Sequence, residues 1–362
     1  MYEKLLFPVR CQDRILKNKI VIAPNPSFLC DKEGNITPQF FTYYKNLIEK
    51  GAGMLIVEGS AISASARGWN NQCMITEESN FLAISELVIK MRSQDCLPMI
   101  QLYHAGINAI SSQFNKVCGP SRILHKKITA IIEEVKTEDI EKIVEDYKKA
   151  ATLAWNAGFA GVEINASDSG LLHQFMSPIT NKRNDEYAFG FNNGVLPIKR
   201  VINGIKEVAK DLIISVKLSL RDLIPGGAGL NHSLGIAEAL MQQGVDLFHI
   251  TEGLKIGNTS CLHPYLVNNS SPTPFADDAL VFKKETQSTV ILSGGMYNPA
   301  IAEKALTREC CDLISLDRVI NAEPDWIDMA ITNQPIEFYK KCKNCMLCQA
   351  ADKGCILKKQ LY

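Results

Sequence analysis

An α/β fold, an eight-unit (β/α)8 barrel of the TIM type, is the architecture this sequence predicts, on three observations. Short β-branched runs alternate with longer amphipathic stretches, the pattern of parallel β/α units. The runs are almost continuously apolar, as strands buried on both faces are. They recur eight times in roughly 320 residues, which favours closure over the competing doubly wound open sheet.

The expected strands are Lys19–Ala23, Met54–Glu58, Pro98–Tyr103, Gly161–Asn165, Ile213–Ser219, Val245–Thr251, Thr289–Ser293 and Asp312–Leu316. Helical spacing fills the gaps, for example over Thr137–Asn156 and Asn298–Thr307. The first of these opens on the capping-box pattern Thr137-Glu-Asp-Ile140, with acidic side chains in its first turn. The stretch from Gly106 to Lys136 is too long for a simple loop and is expected to hold an inserted hairpin or lid.

Composition narrows the function. Of 362 residues, 46% are hydrophobic and 22% charged, which suits a chain that buries a large core. Lys plus Arg and Asp plus Glu both total 39, so no long-range field gathers nucleic acid or an anionic membrane. That balance leaves a small-molecule substrate as the expected partner, and it is compatible with a homo-oligomer. Charges and Pro8 interrupt the N-terminus before a signal-peptide core forms, and no apolar run reaches spanning length. The expected setting is therefore the cytoplasm, where thiols stay reduced. Of twelve cysteines, eight are scattered and read as small buried apolar groups.

Barrel enzymes place their chemistry at the C-terminal ends of the strands. Those ends carry Pro24-Asn25, Glu58-Gly59, Gln101 with His104, Asn165, Lys217, His249 with Glu252, Gly294-Gly295 and Asp317-Arg318. Backbone N–H groups of Ser293-Gly294-Gly295-Met296 and the charge of Arg318 suit the phosphate site that barrels build from their last two loops. Lys217, at the end of an apolar strand, needs an anionic partner. A reduced flavin ring supplies one; a neighbouring carboxylate is the alternative.

The stretches LLFPV…LKNKIVIAPN, YYKNLIEKGAGMLIVEGSAIS, QLYHAG, GFAGVEI…LLHQFMSPITNKRNDEY, LSGGMYNPAIAEKAL and DLISLDR occur in order over roughly residues 1–330. Together they resemble the old yellow enzyme family of NADH:flavin oxidoreductases. The resemblance implies a barrel that binds FMN. Pro24, Asn25 and Gly59 would line the flavin through their backbones, and Gln101 would bond its pyrimidine edge. Lys217 would face N1, and Gly294, Gly295 and Arg318 would hold the phosphate. Arg183, Asp185 and Tyr187 match a stretch that is mainly structural in the family.

The departures bear on the reaction. Where the family shows a His, then a His or Asn, then a proton-giving Tyr, this chain has Asn165, Asp168 and Gly170. Asn165 still donates through its amide, but an ionised Asp168 cannot donate and Gly170 has no proton to give. One reading makes Asp168 a general acid, or the partner of an N–H-rich or amine substrate such as a nitrogen heterocycle or linear tetrapyrrole. The other takes the proton from Tyr103, His104, His249 or His263.

The end of the chain, CKNCMLCQAADKGC, places thiols at Cys342, Cys345, Cys348 and Cys355. Successive two-residue spacings suit an iron–sulfur cluster, and four thiolates suit structural zinc equally well; free thiols are the third reading. The stretch is similar to the tail of the 2,4-dienoyl-CoA reductase and trimethylamine dehydrogenase subgroup, which implies a 4Fe-4S cluster passing single electrons to FMN. The gap before Cys355 is shorter than is usual there.

The expected organisation is thus an FMN-binding barrel over residues 1–335 and a cysteine-rich tail over 336–362. The expected activity is reduction of a conjugated C=C or C=N bond of a small molecule, with electrons from NADH, NADPH or a separate electron-transfer protein. Amine oxidation through FMN and the cluster is the alternative, as is flavin binding without alkene reduction.

Overall fold

The computed structural model describes residues 2–76, 78–110, 116–123, 130–168, 170–190, 194–256, 273–339, 342 and 355. An N-terminal hairpin pairs β1 (Val9–Cys11) with β2 (Arg14–Leu16). The barrel strands are β3 (Ile20–Ile22), β4 (Met54–Ala61), β5 (Leu97–Tyr103), β8 (Gly161–Ala166), β9 (Ile213–Ser219), β10 (Leu247–Thr251), β11 (Thr289–Leu292) and β12 (Leu313–Leu316). Between them lie the short β6 (Lys116–Gly119) and β7 (Ile131–Glu134). The eight long-range strands close in the order β10-β11-β12-β3-β4-β5-β8-β9, each pair parallel. This is the (β/α)8 barrel that the sequence predicts, and each expected strand is present.

The largest boundary shift and one helix cap have local reasons. β4 runs past Glu58 to Ala61, because a bulge between Val57 and Ser60 carries the pairing with β5 onward. The helix Thr137–Asn156 has the expected span, but Lys136 rather than Thr137 is its cap residue, with the Lys136 N–H donating to Asp139 at 3.1 Å. Its buried positions Ile140, Val144, Tyr147, Ala150, Ala151 and Ala154 keep the three-and-four spacing of one apolar face.

The insert between β5 and the helix Thr137–Asn156 is not a hairpin. β6 and β7 pair in parallel, Lys116 opposite Ile131 and Gly119 opposite Glu134. Strands paired in parallel cannot be joined by a tight hairpin turn. Val117 and Ile132 of this ribbon pack with Ile107, Leu254 and Ile256, so the insert rests on the loops that follow β5 and β10. Arg183 fastens it, donating to the carbonyls of Pro120 at 3.0 Å and Val135 at 2.7 Å while pairing with Asp185.

Inside the barrel the side chains change character along the axis. Val21, Met54, Ile56, Met99, Ile213, Leu247, Ile291 and Leu313 form an apolar layer, with Cys11 and Leu16 of the hairpin packed onto it. Two residues further along the same strands stand Gln101, Ser215, His249, Ser293 and Ser315. With period-two alternation, those positions face the same interior one step nearer the C-terminal end. One end of the barrel is thus sealed by apolar groups and the other is polar. Among the described residues no helix is long and apolar enough to cross a membrane.

Candidate active site

Glu163 organises the polar end. It is fully buried on β8, and its Oε1 accepts from Gln101 Nε2 at 2.8 Å. Its Oε2 takes His249 Nδ1 at 2.9 Å and the Ser215 hydroxyl at 3.2 Å. Burial alone would raise this carboxyl, but the charges of His249 and Lys217 and the bond from Gln101 hold it below the usual value. Sequence reading did not single out Glu163, although a carboxylate in the middle of the apolar run GVEIN is a readable signal.

This network orients Gln101. With its amide N–H committed to Glu163, its Oε1 is left to accept, and Asn165 Nδ2 donates to it at 3.2 Å. Gln101 therefore presents a carbonyl oxygen, the group a ring N–H requires. His249 has both nitrogens engaged, the second on Ser293 Oγ at 2.7 Å, and has no exposed surface. It belongs to the floor beneath the site. The expectation that it gives a proton to substrate finds no geometry to support it.

Lys217 meets the carboxylate alternative raised by the sequence. Its Nζ lies 3.1 Å from Asp168 Oδ2, with the two side chains 11% and 51% exposed. Burial pulls the Lys217 ammonium down, but Asp168, Asp317 and Glu163 outweigh it and keep it above the usual lysine value. Asp168 in turn is pushed up by burial and pulled down further by Lys217, ending below the ordinary carboxylate range. An ionised carboxylate has no proton to release, so the pairing removes the physical basis for Asp168 as a general acid. Gly170 and Asn165 are matched: a Cβ added at Gly170 would stand 2.8 Å from Asn165 Oδ1. A side chain at position 170 thus has no room while Asn165 keeps its place.

Tyr103 is the next residue inward-facing on β5 after Gln101. Its ring lies 5.4 Å from that of Trp69, which in turn meets Phe28 at 6.2 Å. Burial pushes the Tyr103 hydroxyl well above the usual tyrosine value, with Asp168 adding to the shift, so it stays protonated. A Cβ built on Gly59 would meet Gln101 Oε1 at 2.9 Å and both Trp69 and Tyr103 at 3.4 Å, which brings this aromatic wall to the edge of the same space. Nothing in the sequence pointed to Trp69. His104 is buried, accepts the Gly106 N–H at Nδ1 over 3.1 Å, and is lowered to about 4 by burial, hence neutral. His263 lies outside the described residues. A second buried pair that the sequence did not flag, His173 with Asp222 at 3.0 Å, ties the helix Leu171–Phe175 to the end of β9.

At the last two strands, Gly294 and Gly295 take φ of 93° and 76°, backbone that favours glycine. Arg318 stands 3.9 Å from Asp317, just before the short helix Val319–Ala322. Cys342 and Cys355 pack beside Tyr297 and Ala322, against these same two loops. Cys345 and Cys348 lie outside the described residues, and among those described no group of three metal-ligating side chains occurs.

The residues present fit FMN. Asn25 Nδ2, Trp69 Nε1 and Ser315 Oγ are buried without a hydrogen-bond partner, an unusual cost unless something else supplies it. An accepting Gln101 Oε1, a buried ammonium and a glycine-lined bend with an arginine match a ring with N–H and carbonyl edges and a phosphate tail. Pro24 and Asn25 are buried at the end of β3, next to this space.

Glu58 provides a test of the adjoining wall. Its Oε2 accepts the Ser27 N–H at 2.8 Å and its Oε1 has no partner. Burial pushes its carboxyl from 4.5 up to about 7, against the lowering pull of Ser27 and Tyr44. A group raised in the folded state supports folding below its unfolded pKa and loses that support as pH rises through the folded value. Stability should therefore fall between pH 4.5 and about 7 by about 3 kcal/mol from this group alone. Urea unfolding of Glu58→Gln at pH 5 and pH 8 should show that much less pH dependence than the parent; an identical slope would exclude the assignment.

Comparison with known proteins agrees with this geometry. The model of the NADH:flavin oxidoreductase / NADH oxidase family matches residues 4–337. An NADPH dehydrogenase of Listeria welshimeri serovar 6b is 30% identical over 89% of this chain and 92% of its own length. An NADH oxidase of Thermoanaerobacter brockii is 27% identical over 96% of this chain, which spans 52% of that protein. Among solved structures, a 2-naphthoyl-CoA reductase complexed with 2-naphthoyl-CoA superposes with a TM-score of 0.91 at 22% identity, covering 100% of this chain and 58% of its own. With the buried cation, the oriented glutamine and the glycine bend in one barrel mouth, the chain belongs to the NADH:flavin oxidoreductase / NADH oxidase family and is an NAD(P)H:flavin oxidoreductase of the old yellow enzyme kind.

Proposed function

We propose that this enzyme reduces a C=C bond conjugated to a carbonyl in a flat small molecule, an acyl thioester being the favoured class. The observation that carries the reading is the aromatic wall of Phe28, Trp69 and Tyr103 standing beside Gln101 and Gly59. Flat rings stack on such a wall with useful energy, about 0.5–1.5 kcal/mol per pair beyond area burial. Bound FMN supplies the two-electron chemistry, with NADPH or NADH as donor. Gln101, Lys217 and the backbones of Pro24, Asn25 and Gly59 hold its ring, and Gly294, Gly295 and Arg318 hold its phosphate. Asn165 has a free amide hydrogen for the substrate carbonyl, and Tyr103 gives the proton that completes saturation. The likeness in fold to a 2-naphthoyl-CoA reductase over the whole of this chain supports a conjugated thioester. Amine oxidation is less well supported, because the charge of Asp168 that would attract a cationic amine is taken up by Lys217.

The same reading assigns residues 1–335 to the barrel and 336–362 to a redox tail. Cys342, Cys345, Cys348 and Cys355 would hold a 4Fe-4S cluster, open to a separate electron-transfer protein. Packing of Cys342 and Cys355 on the loops after β11 and β12 supports a tail close to the flavin end of the barrel.

The test is anaerobic stopped-flow mixing of the holoenzyme with NADPH or NADH, then with enones, dienoyl and aryl thioesters, tetrapyrroles and amines. Bleaching by a nicotinamide and recolouring by conjugated thioesters is the expected pattern. Recolouring by none of the conjugated carbonyl compounds would reject the substrate class. Iron and acid-labile sulfide assayed on the same protein should be stoichiometric, and zinc in their place would reject the cluster.

A further inference from the structure

Reduction of a flavin by two electrons and one proton leaves one net negative charge on the ring. A nearby cation stabilises that charge and raises the reduction potential; a carboxylate set against the cation cancels its field. Lys217 stands within 3.1 Å of Asp168, and the other charges around it are also negative. Glu163 and Asp317 both act on its ammonium. His249 is spent on Glu163, and Arg318 stands 3.9 Å from Asp317 at the phosphate end. His173, which faces Asp168, is itself bonded to Asp222.

Asp168 holds its place at a conformational cost. Its φ is 48°, left-handed backbone that non-glycine residues adopt rarely and that tends to persist where position matters. Ser167 Oγ donates to the carboxylate at 3.2 Å, fixing the oxygen that faces Lys217. Where the family sequence pattern carries a neutral donor, this chain thus sets an anion directly on the flavin's cation.

We propose that Asp168 is a positioning residue that lowers the potential of the bound FMN by neutralising Lys217, making the reduced enzyme a stronger electron donor. Such an enzyme suits acceptors that resist reduction more than a simple enone does, as a conjugated or aromatic acyl thioester does. The substrate clause rests on the function proposed above; the potential itself does not.

The experiment is anaerobic reductive titration of the holoenzyme against reference dyes, with no substrate present. Asp168→Asn should shift the equilibrium between oxidised and two-electron-reduced FMN at least tenfold toward reduction, about 30 mV upward for two electrons. Asp168→Glu should stay near the parent. A potential unchanged in Asp168→Asn with FMN fully bound overturns the proposal. Asp168→Ser is the second variant: if it and Asp168→Asn both lose FMN, the carboxylate is structural and the proposal also falls. A shifted potential in an enzyme that reduces no conjugated thioester would leave this inference standing and remove the substrate reading alone.

Discussion

Lys217→Met is expected to weaken FMN binding by about 10- to 100-fold, the value of one hydrogen bond from a charged donor at about 1.5–3 kcal/mol. The change removes the cation of the barrel mouth while keeping much of its length. Three carboxylates act on that ammonium, and without it they face the flavin's carbonyl edge uncompensated. Fluorescence titration of FMN into deflavinated protein measures the loss. Lys217→Arg keeps the charge and should retain most of the affinity. Equal dissociation constants for Lys217→Met and the parent would show that the ammonium does not meet the flavin. The effect on folding should be smaller than the 3–5 kcal/mol typical of a broken buried pair. Asp168 is 51% exposed and turns to water when released, and Glu163 keeps its bonds from Gln101, His249 and Ser215.

Tyr103→Phe should slow substrate reduction by about 10²–10⁴, the usual worth of a positioned proton donor. Reduction of the flavin by NADPH should be almost unchanged, because that half-reaction needs no proton from the protein side chain. Among the described candidates, geometry favours Tyr103. His249 is bonded on both sides beneath the site, Asp168 is ionised, and position 170 has no room for a side chain while Asn165 stands there. Tyr103 stays protonated and faces the space bounded by Gly59 and Trp69. Rapid mixing of prereduced enzyme with a conjugated thioester separates the two half-reactions. Equal slowing of both would make Tyr103 a binding wall rather than a donor.

Lys217 also shows how far the primary structure reaches. A lysine closing an apolar strand announced a buried cation in need of an anion, and both candidate partners could be named in advance. Which carboxylate approached it depended on the turn after β8, where Asp168 adopts φ of 48°. The Ser-Asp-Ser-Gly run signals a turn there, but not that its carboxylate meets Lys217.

Local signals alone determined the eight strands, the helix over Thr137–Asn156, the glycine bend after β11 and its arginine after β12. Each depends on periodicity or on backbone freedom, which neighbours in sequence are sufficient to express. Only the tertiary structure decided that β6 and β7 run parallel, that His249 sits in the floor, and that Trp69 joins Phe28 and Tyr103. Those outcomes join residues far apart along the chain, Glu163 to His249 and Phe28 to Trp69 among them. Barrel closure brings such groups within a few ångströms, and a carboxylate or ring has no means of announcing from its own segment what it will meet there.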